Sequence, residues 1–103
     1  MKIFLAGHNG MVGSAIRQAF EERTTHSLLL RNRAELDLTN REQVFDFFER
    51  ETPSGVILAA AKVGGIGANQ RMPIEFLSEN LQIQTNVIDA ASAYAVDRFV
   101  FLG

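Results

Sequence analysis

Lys2-Ile3-Phe4-Leu5-Ala6-Gly7-His8-Asn9-Gly10-Met11-Val12-Gly13 decides the fold of this chain. Ile3 to Ala6 is apolar without a break, too apolar for a strand with one wet face, so residues 2–6 read as a buried strand. Glycines follow at 7, 10 and 13. Residues 11–23 then carry Val12, Ile16, Ala19 and Phe20 at helical spacing. A strand that breaks at glycine and re-enters as a helix lets backbone N–H groups approach a pyrophosphate at the positive end of the helix. A nucleotide cofactor is therefore the first expectation. The spacing is Gly-x-x-Gly-x-x-Gly rather than Gly-x-Gly-x-x-Gly, and glycines alone specify only a tight turn with positive φ. The strand before and the helix after favour the cofactor reading.

Outward from this turn, strand and helix signals alternate. Residues 27–30 read as a second buried strand. Thr39 and Glu42 have the spacing of a capping box, opening a helix that runs to about Arg50 with Val44, Phe45, Phe47 and Phe48 on its apolar side. Pro53-Ser54-Gly55 is a turn, residues 56–60 a third strand and residues 61–71 a glycine-containing loop. Pro73 suits the first turn of a long helix to about Tyr94, and residues 99–102 form a fourth strand. The order β-α-β-α-β-α-β, with continuous apolar strands, predicts an α/β fold: a Rossmann-like open parallel sheet with helices on both faces. Right-handed crossovers favour strand order 3-2-1-4, the last helix opposite the first two, and a ligand crevice between strands 1 and 4.

Composition sets wide bounds. The 103 residues allow one domain, and a net charge of −2 gives no reason to expect nucleic acid or a membrane as partner. Without cysteine the chain has no disulfide or thiolate chemistry. Neither a signal-peptide pattern nor an apolar run of about 20 residues is present, so a cytoplasmic location is expected.

The end of the second strand bears on which cofactor. An NAD site usually places a carboxylate there for the ribose 2′-hydroxyl. Arg31, Asn32 and Arg33 stand there instead. A guanidinium binds a 2′-phosphate through two parallel hydrogen bonds, so NADP(H) is expected, with Arg33 as its ligand and Arg31 in reserve. Asp37 and Leu38 suit an adenine edge and face, or equally a turn carboxylate and a core leucine. Ala60, Ala61 and Lys62 would line the crevice beside the ribose and pyrophosphate, or belong to a plain connection. His8 has no paired acid or nucleophile, and no histidine has the neighbours of a metal site. The helix over 73–95 has more apolar surface than one sheet face needs, leaving room for a second subunit or for further chain.

These residues resemble the GDP-L-fucose synthase family of extended short-chain dehydrogenase/reductases. The most specific pieces are Gly7-His8-x-Gly10-Met11-Val12-Gly13-Ser14-Ala15-Ile16 and Ala59-Ala60-Ala61-Lys62-Val63-Gly64-Gly65-Ile66. Glu79-Asn80, Asn86 and Phe101-Leu102-Gly103 also fit. The resemblance implies that residues 1–103 are the NADP(H)-binding, N-terminal part of a longer epimerase/reductase acting on GDP-4-keto-6-deoxy-D-mannose. Gly7, His8, Asn9, Gly10, Met11, Val12 and Gly13 would hold the pyrophosphate, Arg33 the 2′-phosphate, and Asp37 and Leu38 the adenine. Leu102 and Gly103 would begin the stretch beside the nicotinamide. Asn9 departs from the basic residue often found there. The family's catalytic Ser and Tyr-x-x-x-Lys lie beyond this stretch. Here the one tyrosine, Tyr94, is followed four residues on by Arg98, so no catalytic residue is expected. Two partner arrangements follow: a homodimer through the 73–95 helix or the fourth-strand edge, and, as a rival to the reductase reading, a non-catalytic module binding nucleotide or protein through that edge.

Overall fold

A computed structural model describes residues 1–23, 26–59 and 73–102. Its elements are β1 (Lys2–Ala6), α1 (Met11–Arg23), β2 (Ser27–Leu29), α2 (Arg41–Glu51), β3 (Gly55–Leu58), α3 (Ile74–Ala93) and β4 (Arg98–Phe101). All strand pairs are parallel. The alternating elements read from the chain are present, with ends shifted by a residue or two.

The strand order is 2-1-3-4, not 3-2-1-4. β3 pairs with β1 in the register Phe4 to Val56, and with β4 in the register Val56 to Phe99. Both orders satisfy the alternation of strands and helices. Burial separates them, because a central strand is covered on both faces and an edge strand is not. Val56 and Leu58 of β3 are buried, as are Phe4, Leu5 and Ala6 of β1. β2 has three residues, none buried, and β4 none buried either. The two central places thus go to the two most deeply buried strands.

The corrected order moves the helices and the crevice. The chain steps from β1 to β2, then turns back across β1 to reach β3. Right-handed crossovers in opposite directions put α1 on one face and α2 with α3 on the other. α2 therefore crosses β1: Phe47 and Phe48 lie on Phe4, with ring centroids 4.6 and 5.9 Å away. Val44, Val87, Ala90 and Ala91 join Phe4, Ala6, Val56 and Leu58 in one cluster on this face. Leu5 alternates with Phe4 and Ala6, so it faces α1. The reversal of direction now falls between β1 and β3, where an open α/β sheet has its crevice, and β3 separates β1 from β4.

The α2 cap also differs from expectation. Asn40, not Thr39, is the N-cap, and its side chain accepts from the Gln43 N–H. Thr39 and Asn40 are both good caps. Thr39 is engaged elsewhere, its hydroxyl donating to Asp37 Oδ1 at 2.6 Å. Among the described residues no helix is long and apolar enough to cross a membrane.

Candidate functional site

The glycine turn is built by exclusion of side chains. Gly7 has a φ of 91°, a left-handed value that L side chains rarely adopt. Its carbonyl accepts the Gly10 N–H at 3.1 Å, closing the turn out of β1. A Cβ on Gly13 would run into that same carbonyl and come within 2.9 Å of the His8 Cα. Gly13 thus lets the first turn of α1 lie against the end of β1. Ser14 ties the two together, its hydroxyl donating to the His8 carbonyl at 3.1 Å. Gly10 is different. A Cβ there would meet only Gly7 O at an ordinary 3.5 Å, so the fold does not require glycine at this position. The first turn of α1 contains no carboxylate, and its N–H groups have no partner further back in the helix.

A second turn, after β2, presents the arginines. Asn32 and Glu35 bond reciprocally: Asn32 Oδ1 accepts from the Glu35 N–H, and Glu35 Oε1 accepts from the Asn32 N–H, each at 2.9 Å. This has the logic of a capping box, with the Leu36 N–H donating to the Asn32 carbonyl at 2.9 Å. It anchors Leu36 in the core and leaves Arg33 projecting with 74% of its side chain exposed. Arg31 lines the same cleft as Arg33 but is more tightly held. Its guanidinium donates to its neighbour's carbonyl, lies 5.3 Å from the centre of the Phe47 ring and approaches Glu51 at 3.4 Å. Arg33 pairs with Glu79 of α3 at 2.9 Å.

The following loop is held from both sides. Asp37 accepts from the hydroxyl and the N–H of Thr39, and these bonds, the hydroxyl's first, hold its carboxyl below the usual carboxylate range despite some burial, with Arg33 adding to the effect. The Asp37 N–H donates to the Gln43 side chain at 3.1 Å. Asn86, buried on α3, donates to the Leu38 carbonyl at 2.9 Å and so ties this loop to the long helix.

The two turns and the loop face one cleft of about 210 Å³. Gly7, His8, Asn9 and Gly10 line it together with Arg31, Arg33, Asp37 and Leu38. Of the remaining expected site residues, Met11, Val12 and Gly13 begin α1 beside the cleft without lining it. Leu102 stands apart, its N–H donating to the Leu58 carbonyl at the end of β3. Ala60, Ala61, Lys62 and Gly103 lie outside the described residues. Leu36, Glu79 and Ile83 also line the cleft, a role the sequence reading did not give them. The Asn-x-x-Glu spacing at 32 and 35 was a readable signal for the arginine turn, and Glu79 and Ile83 are one helical turn apart. No group of three metal-binding side chains exists among the described residues. A glycine turn at a helix N-terminus, sharing one cleft with the guanidinium groups of Arg31 and Arg33, suits a ligand with more than one anionic group.

Known proteins are similar to this chain over nearly its whole length. Residues 3–103 match the model of the NAD dependent epimerase/dehydratase family. GDP-L-fucose synthase 1 of Arabidopsis thaliana is 54% identical over 102 residues, covering 99% of this chain and 32% of that protein. The GDP-L-fucose synthase of Escherichia coli K12 is 49% identical over 102 residues, again 99% of this chain and 32% of the relative. A solved GDP-mannoheptose C4 reductase of Campylobacter jejuni, with NADP bound, superposes with a TM-score of 0.87 at 40% identity, covering 99% of this chain and 30% of that one. The chain thus spans about a third of the length of these relatives. They include the family that the glycine turn and the Ala59–Ile66 run suggested.

Proposed function

This chain belongs to the NAD dependent epimerase/dehydratase family, and on that premise we propose that it is the NADP(H)-holding portion of a GDP-L-fucose synthase-like epimerase/reductase. The observation that carries the reading is the single cleft shared by the glycine turn and Arg33. The pyrophosphate lies against Gly7–Gly13 and the first turn of α1, where Gly10 gives the backbone close approach that the fold itself does not demand. Arg33 takes the 2′-phosphate. Leu38 and Ile83 offer apolar surface for the adenine, and Asp37, already bonded to Thr39, fixes the loop that carries Leu38. The nicotinamide end runs away from Arg33, past the ends of β1 and β3 toward Leu102 and Gly103, with Ala60, Ala61 and Lys62 assigned beside the ribose and pyrophosphate.

Bound NADPH supplies the hydride for reduction at C4 of GDP-4-keto-6-deoxy-D-mannose, after epimerisation at C3 and C5. The acid–base groups for those steps are assigned to residues outside this chain, since its one tyrosine has no lysine four residues on. Isothermal titration tests the cofactor reading. Arg33→Ala should weaken NADPH at least about tenfold and leave NADH little changed, because a charged hydrogen-bonded pair is worth roughly 1.5–3 kcal/mol. Equal losses for both cofactors would remove Arg33 from the role.

The same reading places the protein in the cytoplasm and joins two copies through α3. Ile74, Phe76, Leu77, Leu81 and Ile88 of that helix are all exposed. Light scattering should give twice the chain mass, and a Leu77→Glu/Leu81→Glu chain should be monomeric. The rival module, docking through the sheet edge, draws on Val100 and Phe101, which are 49% and 42% exposed on β4. A dimer that survives the α3 changes but not a charge at Val100 would favour that edge.

A further inference from the structure

Arg33 already has an anion. Its Nη2 lies 2.9 Å from Glu79 Oε1, and both side chains line the cleft. The backbone sets both positions: Arg33 rides on the turn closed by Asn32 and Glu35, and Glu79 is six residues into the 20-residue helix α3. Asp37 is near enough to Arg33 for its carboxyl to feel the charge, but it is committed to Thr39. Glu79 is the only carboxylate within bonding distance of Arg33 among the described residues.

A 2′-phosphate bound by two parallel hydrogen bonds needs the fork of the guanidinium. Glu79 holds one prong of that fork, and its negative charge repels an arriving phosphate. An unphosphorylated ribose makes no demand on Arg33 and meets no such competition. We propose that Glu79 is a specificity-determining residue that competes with the 2′-phosphate for Arg33 and so narrows the preference for NADPH over NADH. This rests on the NADP(H) reading above and goes beyond it, since it assigns a second residue that opposes the first. The Glu79–Arg33 pair is exposed, with side-chain accessibilities of 40% and 74%, so its effect is modest and is screened by salt.

The test is Glu79→Gln, which keeps the size of the side chain and removes its charge. Isothermal titration of this chain at low salt should show NADPH binding about two- to fivefold tighter, the range of an exposed ion pair, with NADH changed by less than about twofold. The gain should shrink as salt is added. Arg33→Ala, titrated alongside, separates the two ideas. If Arg33→Ala loses NADPH selectively while Glu79→Gln leaves NADPH unchanged or weaker, the competition is overturned and the cofactor reading stands. If Glu79→Gln tightens NADH as much as NADPH, the effect is not on the 2′-phosphate and the proposal fails. If Arg33→Ala keeps full NADPH affinity, the cofactor reading fails and this inference falls with it.

Discussion

The two turns that frame the cleft are made in opposite ways. The turn at residues 7–13 is a matter of excluded volume: a left-handed φ at Gly7, and no room for a Cβ at Gly13. The turn at residues 31–35 is a matter of polar pairing: Asn32 with Glu35, Arg31 with Glu51, Arg33 with Glu79. Steric requirements are met or they are not. Ion pairs at a surface are worth about 1 kcal/mol or less and exchange partners readily. On the proposed NADP(H) reading, the glycine turn would be a fixed grip that serves any dinucleotide, and the arginine turn the adjustable part that distinguishes a phosphorylated ribose from a plain one.

Gly13→Ala should break the first turn outright. The new methyl collides with the Gly7 backbone, which cannot move without pulling β1, so a loss of about 3 kcal/mol or more is expected. In a thermal melt that is a fall of at least ~12 °C, with binding of both cofactors lost. Arg33→Ala should leave the melt within ~0.5 kcal/mol of the parent, as for an exposed residue with one surface pair, while the selective NADPH loss stated above appears in titration. Gly10→Ala sharpens the contrast within the first turn. Its Cβ clears the protein, so stability should hold, but it intrudes on the pyrophosphate. An overlap costing about 1–3 kcal/mol weakens NADPH and NADH alike, by roughly five- to 150-fold. Unchanged binding would mean that the backbone at Gly10 does not approach the ligand.

The smallest effect concerns Asp37. Its carboxyl is held below the usual carboxylate range, first by the Thr39 hydroxyl and then by the Thr39 N–H. A depressed native pKa adds stability that is complete above the unfolded value and is lost as pH falls through the native one. Asp37→Asn should therefore cost stability at neutral pH, within ~1 kcal/mol for a half-buried surface group. The gap from the parent should close below the carboxylate range. A gap that persists in acid would assign the loss to packing instead.

The same contrast explains what the chain revealed before its structure. Gly7 and Gly13 were legible because their constraint is local: strand, turn and helix follow one another within a few residues. The seven elements were legible too, since apolar runs and helical spacing alternate cleanly. Strand order was not, because α2 can carry the chain to either side of β1. The choice depends on which strands lie deepest, and the difference between three-residue β2 and buried Val56 and Leu58 shows only once burial is seen. The cap moved from Thr39 to Asn40 because Asp37 recruits the Thr39 hydroxyl. Arg33 was legible as a charge at the end of β2, but its partner Glu79 is 46 residues away and no local pattern joins them. Asn86 likewise meets the Leu38 carbonyl across 48 residues.

The most direct test of the central claim is a paired titration of this chain with NADPH and with NADH under one set of conditions. An NADP(H) site at Arg33 should bind both, with NADPH at least about tenfold tighter, and lose that margin in Arg33→Ala. Equal affinities, or no binding of either, would contradict it.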